Sequence, residues 1–117
     1  MKVDVRLVGD GFKVDDLKNY LDKIPKFEYK LELVQELGEP IKRGPNKGKP
    51  SEYGFCWINR ITLKQLDQIG SIFKSYKIDD IAINIEEKQL KNQTCLYLDK
   101  DLINIASRID ADIEIVD

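Results

Sequence analysis

The chain of 117 residues contains no histidine. That removes the side chain most used as a general base near neutral pH, and also the commonest zinc ligand. Its two cysteines, Cys56 and Cys95, are too far apart for a CxxC pair. Neither opens a helix or stands among basic residues, the settings that make a thiol reactive. Both fall inside strand patterns, where cysteine behaves as a small hydrophobe, so free thiols in a reducing, cytoplasmic compartment are expected. No apolar run approaches the ~20 residues of a membrane span, and no membrane contact is expected. Met1 to Arg6 alternates charge with valine as a strand does, rather than opening a signal peptide. Strong charge of one sign is missing too. The net charge is −2, whereas general polyanion binding requires a basic domain. Residues 1–60 carry 12 basic and 10 acidic side chains and residues 61–117 carry 7 and 11, so the carboxy-terminal half offers the more acidic surface.

What is present is a repeated rhythm. Val3, Val5 and Leu7 alternate with Asp4 and Arg6, the period-2 mark of a half-buried strand, and Gly9-Asp10-Gly11 supplies a turn. Val14, Leu17, Leu21 and Ile24 then keep the spacing of one helix face. Asp15 and Asp16 fall in its first turn, where the dipole favours acids, and Pro25 stops it. Phe27, Tyr29, Leu31 and Leu33 return to alternation. A second unit opens on Tyr53 to Ile58, largely apolar on both faces, which suits a strand in the interior of a sheet. Thr62-Leu63-Lys64-Gln65 has the capping-box pattern. Leu66, Ile69, Phe73 and Tyr76 repeat the helical stripe, and Ile81, Ile83 and Ile85 alternate. In a third unit Thr94–Leu98 reads as a strand and Asp99 as the N-cap of a helix that buries Leu102, Ile105, Ala106 and Ile109. Asp112 to Val116 reads as the last strand.

Strand–helix–strand three times over predicts one α+β domain spanning 1–117. The expected architecture is a ferredoxin-like mixed sheet of about six strands built from three βαβ units, with three helices on one face. The long interruption at 38–52, rich in glycine, proline and lysine, predicts an irregular, mobile loop.

Candidate chemistry is sparse. Gly44-Pro45-Asn46-Lys47-Gly48-Lys49 lacks the spacing of a phosphate loop, and Pro45 removes an amide donor. Glu86-Glu87-Lys88 has the acid–lysine order of metal-dependent nucleases but no first acid on a neighbouring element, and it reads as the charged end of a strand. No catalytic set, metal or cofactor is expected. Tyr53, Phe55 and Trp57 share one strand face; on an open sheet such rings stack RNA bases. The basic-aromatic motif that accompanies such a platform is missing, however, with Gly54 and Cys56 between the rings, so these aromatics are expected in the core beneath the helices. Asp110, Asp112 and Glu114 recur at period 2 on one strand face and lack the glycine and terminal glutamate of a calcium loop. A solvated edge is the plain reading, and an acidic contact for a basic partner the sharper one. Lys42, Arg43 and Lys47 in the long loop form the complementary basic cluster, suited to a partner or to phosphates.

The order of elements, the tryptophan strand followed by a capped helix, and the ending from Leu96 to Ile115 resemble a family of small bacterial proteins known only as a domain of unknown function. Small acidic α/β proteins of this size are also common as immunity proteins, made beside bacterial polymorphic toxins to block them. The resemblance implies a binding role more readily than an enzymatic one, and no enzymatic activity is expected. Its expected form is a protein that neutralises a cognate toxin domain, such as a nuclease, by occluding its active site. The expected contacts are Asp110, Asp112 and Glu114 with Lys42, Arg43 and Lys47. The alternative is a small RNA-binding module using an open sheet face and the basic loop at 42–49.

Overall fold

The computed structural model describes residues 1–90 and 100–116. Its sheet is built around β1 (Lys2–Asp10), in which Val3, Val5 and Leu7 are buried and Asp4 and Arg6 point the other way. α1 (Val14–Asp22), β2 (Leu31–Gln35), β3 (Tyr53–Thr62) and α2 (Leu63–Gly70) follow. After a 3-10 turn at Phe73–Tyr76 come β4 (Asp80–Glu86), a second 3-10 turn at Glu87–Leu90, α3 (Lys100–Ile109) and β5 (Asp112–Val116). The strand order is β2-β3-β1-β4-β5. Every neighbouring pair is antiparallel except β4 with β5, which is parallel.

The α+β class and the three helices agree with the sequence pattern, but the assembly differs from three units laid side by side. β3 lies between β1 and β2, and β1 lies between β3 and β4. Among the described residues only β4-α3-β5 joins adjacent parallel strands. The sheet has five strands among the described residues rather than six; the strand expected at 94–98 lies outside them. β2 begins at Leu31, not at Phe27, and the second helix ends at Gly70, with a separate turn carrying Phe73 and Tyr76.

One cluster forms the core. It joins Val14, Leu17 and Leu21 of α1, Leu66 and Ile69 of α2, and Leu102, Ile105 and Ile109 of α3 to one face of the sheet. That face is Val3, Val5 and Leu7 of β1, Cys56 and Ile58 of β3, and Ile81, Ile83 and Ile85 of β4. No helix among the described residues lies on the opposite face. α2 starts on the expected capping box: the Gln65 amide donates to Thr62 Oγ1 at 3.1 Å and the Thr62 amide to Gln65 Oε1 at 2.9 Å. α1 is capped differently. Its N-cap Lys13 has no side-chain acceptor to offer; instead the Glu36 carboxylate accepts from the amides of Val14 and Asp15, each at 2.8 Å. A helix start exposes unpaired N–H donors and the positive end of its dipole, so a carboxylate delivered from the end of β2 serves both.

Candidate functional site

The parity of β3 decides which side chains meet solvent. Gly54, Cys56 and Ile58 are buried on the helix face, and Tyr53, Phe55 and Trp57 stand half-buried on the uncovered one. This reverses the expectation that the aromatics form the core. A β-carbon at Gly54 would lie 2.0 Å from the Phe12 carbonyl oxygen, so the face that receives the β1–α1 connection has no room for rings.

Strand register sets what surrounds the aromatics. Trp57 pairs with Arg6 of β1 and Glu32 of β2; Arg6 pairs with Ala82 of β4, and Ala82 with Asp112 of β5. A parallel row runs through Asp4, Asn84 and Glu114. The Arg6 guanidinium carbon lies 6.0 Å from the Trp57 ring centroid, at the outer limit of a cation–π contact. Arg6 Nη2 also donates to Glu114 Oε1 at 3.5 Å. The centre of the open face is therefore an aromatic stripe with an arginine lying between it and the acidic edge.

The segment expected to be irregular, 38–52, is an arm of turns and bends closed by one isolated bridge and a few backbone hydrogen bonds. Gly38 N donates to Ser51 O, Ser51 N to Glu39 O, Ile41 N to Lys49 O and Gly48 N to Ile41 O, each at 2.9 Å, and Pro40 bridges Pro50. Proline and glycine leave no strand here: Pro40 and Pro50 make one isolated bridge, facing each other where no amide donor is needed. Gly44 and Gly48 take the left-handed φ of 89° that the tip requires. Among the described residues the buried polar side chains are Gln35 and Ser51, and both root this arm. Gln35 Nε2 reaches the carbonyls of Glu36, Glu39 and Pro40, and its Oε1 accepts from the Lys42 amide. Ser51 Oγ donates to Tyr53 O at 2.6 Å.

Between the arm and β3 lies a groove of about 500 Å³ lined by Leu33, Val34, Ile41, Tyr53 and Phe55, with Lys42 and Arg43 beside them. Lys42 Nζ donates to the Val34 carbonyl at 2.9 Å; Arg43 has no hydrogen-bond or ion-pair partner among the described residues.

The expected contact residues thus fall into two groups at opposite edges of the sheet. Lys42, Arg43 and Lys47 belong to the arm beside β2, whereas Asp112 and Glu114 sit on β5. Four inter-strand steps separate the edges, roughly 20 Å. Asp110 is not on the strand. It takes a left-handed φ of 57° at the end of α3, so the expected period-2 trio is a pair, Asp112 and Glu114. Glu114 also has a structural neighbour in Arg6, which the sequence pattern did not reveal. Burial pushes the Cys56 thiol up to about 12, with the Glu36 carboxylate adding to the rise, so the thiol stays protonated and inert. Glu86 pairs with Lys88 at 2.8 Å. Among the described residues no cluster of three or more acidic or cysteine side chains is placed to hold a metal ion, and no helix is long and apolar enough to cross a membrane. No family model matches the chain, and neither the curated proteins nor the solved structures contain a match to it.

Proposed function

We propose that this chain is a protein-binding module of the immunity type, which neutralises a toxin domain by docking on it through the uncovered face of the sheet. One observation carries the reading: Tyr53, Phe55 and Trp57 stand half-exposed on a face without a helix, with Arg6 against the tryptophan. Tyrosine, tryptophan and arginine are the residues most enriched at the energetic centre of protein interfaces. The framework reads as a ferredoxin-like arrangement of β2-β3-β1-β4, widened at one edge by β5. Asp112 and Glu114 on that edge suit a basic cleft such as a nuclease toxin presents, and would speed association with it. The protein is a binder in the cytoplasm rather than an enzyme in this reading.

The open aromatics also fit the RNA alternative, and charge favours the protein partner. Asp4, Glu32, Asp112 and Glu114 share the face with the rings, so a sugar–phosphate backbone laid on Trp57 would run among carboxylates. The test is binding of the full chain to the toxin domain encoded beside it and, in parallel, to single-stranded RNA. The reading expects a tight complex with the toxin, weakened at least tenfold by Trp57→Ala. Binding to RNA but not toxin, abolished by the same substitution, would replace it with the RNA module.

A further inference from the structure

We infer that the groove between the arm and β3 is an anchor pocket that receives an apolar or aromatic side chain of the partner protein together with a carboxylate beside it. This rests on the protein-binding reading above and names what the partner must present. The groove's about 500 Å³ lies within the range of ligand-sized pockets. Its lining is apolar on three sides: Leu33 of β2, Ile41 of the arm, and Tyr53 and Phe55 of β3. The polar specificity falls to Arg43. The neighbouring Lys42 ammonium is occupied by the Val34 carbonyl, and Arg43 is unpartnered among the described residues, its guanidinium available for a forked pair with a carboxylate.

Leu33 is the second, independent pointer. Its φ is 51°, in the left-handed region where a leucine is uncommon, and it is 62% exposed. It interrupts the β2–β3 register, which shifts between Glu32 and Gln35. A strained backbone that holds an aliphatic side chain out over a groove contributes nothing to the core, and strain of this kind collects at binding sites. The groove is also preformed, because Gln35 and Ser51 fix the arm from below. The arm's Lys42, Arg43, Lys47 and Lys49 select an acidic segment. Aliphatic Leu33 and Ile41 match a side chain better than a nucleobase, which is read by stacking on flat rings.

The experiment follows backbone amide shifts of the full chain on titration with 3-phenylpropionate, a ring with a carboxylate, and with the neutral 3-phenylpropanol. Saturable shifts are expected at Leu33, Ile41, Arg43 and Tyr53, at least fivefold weaker in affinity for the alcohol. They should be lost in Arg43→Glu and in Leu33→Asn, a residue that tolerates the left-handed φ and keeps the fold intact. Absent shifts at the groove, or equal binding of the two probes, would overturn the inference. The same two variants are then tested on the toxin domain. A toxin that binds them as tightly as the unmodified protein removes the groove from the interface and leaves the open-face reading standing. Probe binding without any toxin binding supports the groove chemistry and removes the toxin as its occupant.

Discussion

Gly54 lies directly across the sheet from Gly9, and a β-carbon on either would strike a backbone carbonyl: that of Phe12 at 2.0 Å from Gly54, and that of Lys77 at 1.9 Å from Gly9. Two chain connections cross the helix side of the sheet here, in space no side chain can share. Gly54→Ala must therefore move backbone rather than a rotamer, and is expected to cost about 4 kcal/mol or more, the range reached only by such specific disruptions. Urea denaturation checks it. A variant as stable as the parent would show that Gly54 does not face the helices, and the assignment of the open face would fall with it.

That assignment gives the aromatic residues a different energetic role from the core. Phe73 is fully buried, so Phe73→Ala should cost ~3–5 kcal/mol through the cavity left behind. Trp57 has solvent on one side, so Trp57→Ala should cost ~1–2 kcal/mol, the transfer of about half an indole. A Trp57 variant as damaged as the Phe73 variant would put the indole back in the core and leave the open face without its stripe.

The sequence made the elements legible because their periods are local. The stripes Val14–Leu17–Leu21 and Leu102–Ile105–Ala106–Ile109 are buried as their spacing implies, and the Thr62–Gln65 box forms as written. The orientation of β3 is not legible from hydrophobicity, because two apolar faces compete there and the larger rings dominate. The signal that resolves it is steric: Gly9 shares the parity of Val3, Val5 and Leu7, and Gly54 that of Cys56 and Ile58, so small residues mark the side where backbone crosses. The order of the strands, the Arg6–Glu114 pair across 108 residues and the Gln35 anchor depend on pairing between distant segments. No local window contains them.

Glu36 is another such long-range residue. Its carboxylate accepts the first amides of α1 from 22 and 21 residues away, the task a serine or aspartate N-cap performs locally. Glu36→Ala is expected to cost about 1 kcal/mol, as loss of a cap does. Asp15→Ala, in the same turn but on the exposed side, should cost only a few tenths of that through the dipole alone. The comparison of urea midpoints decides it. Equal losses would mean that α1 does not use the remote carboxylate.

The arm makes a claim about dynamics. Its cross-arm hydrogen bonds and its Gln35 root predict slow cleavage after Lys42, Arg43, Lys47 and Lys49, despite their exposure, because a protease needs an extended, unpaired substrate. Gln35→Leu keeps the volume but leaves the Pro40 carbonyl and the Lys42 amide without their partner, while the Glu39 carbonyl keeps only the Ser51 amide. Trypsin should then cut at the arm several times faster while the urea midpoint shifts by about 1–2 kcal/mol or less. Rapid tryptic cutting of the unmodified arm would show that it opens readily, and the groove it bounds would not be preformed.

The two carboxylates of β5 separate a binding role from a structural one. The Asp112 side chain is exposed and has no hydrogen-bond or ion-pair partner among the described residues, whereas the Glu114 side chain is 41% exposed and pairs with that of Arg6, itself 28% exposed. A half-exposed pair of this kind is worth ~0–1 kcal/mol, so neither Asp112→Lys nor Glu114→Lys should unfold the protein. Their effects on association differ. Asp112→Lys changes only the charge a basic partner meets, so it should slow association about tenfold at low salt and much less at high salt, where the Debye length shortens to ~3 Å at 1 M. Glu114→Lys adds a second effect, because repulsion frees Arg6 from the acidic edge and disturbs its contact with Trp57. It should therefore also speed dissociation, by a factor that salt does not remove. Stopped-flow association and dissociation rates with the toxin domain at two ionic strengths distinguish the cases. If both substitutions leave both rates unchanged, β5 lies outside the interface, and the face must be entered from the arm side alone.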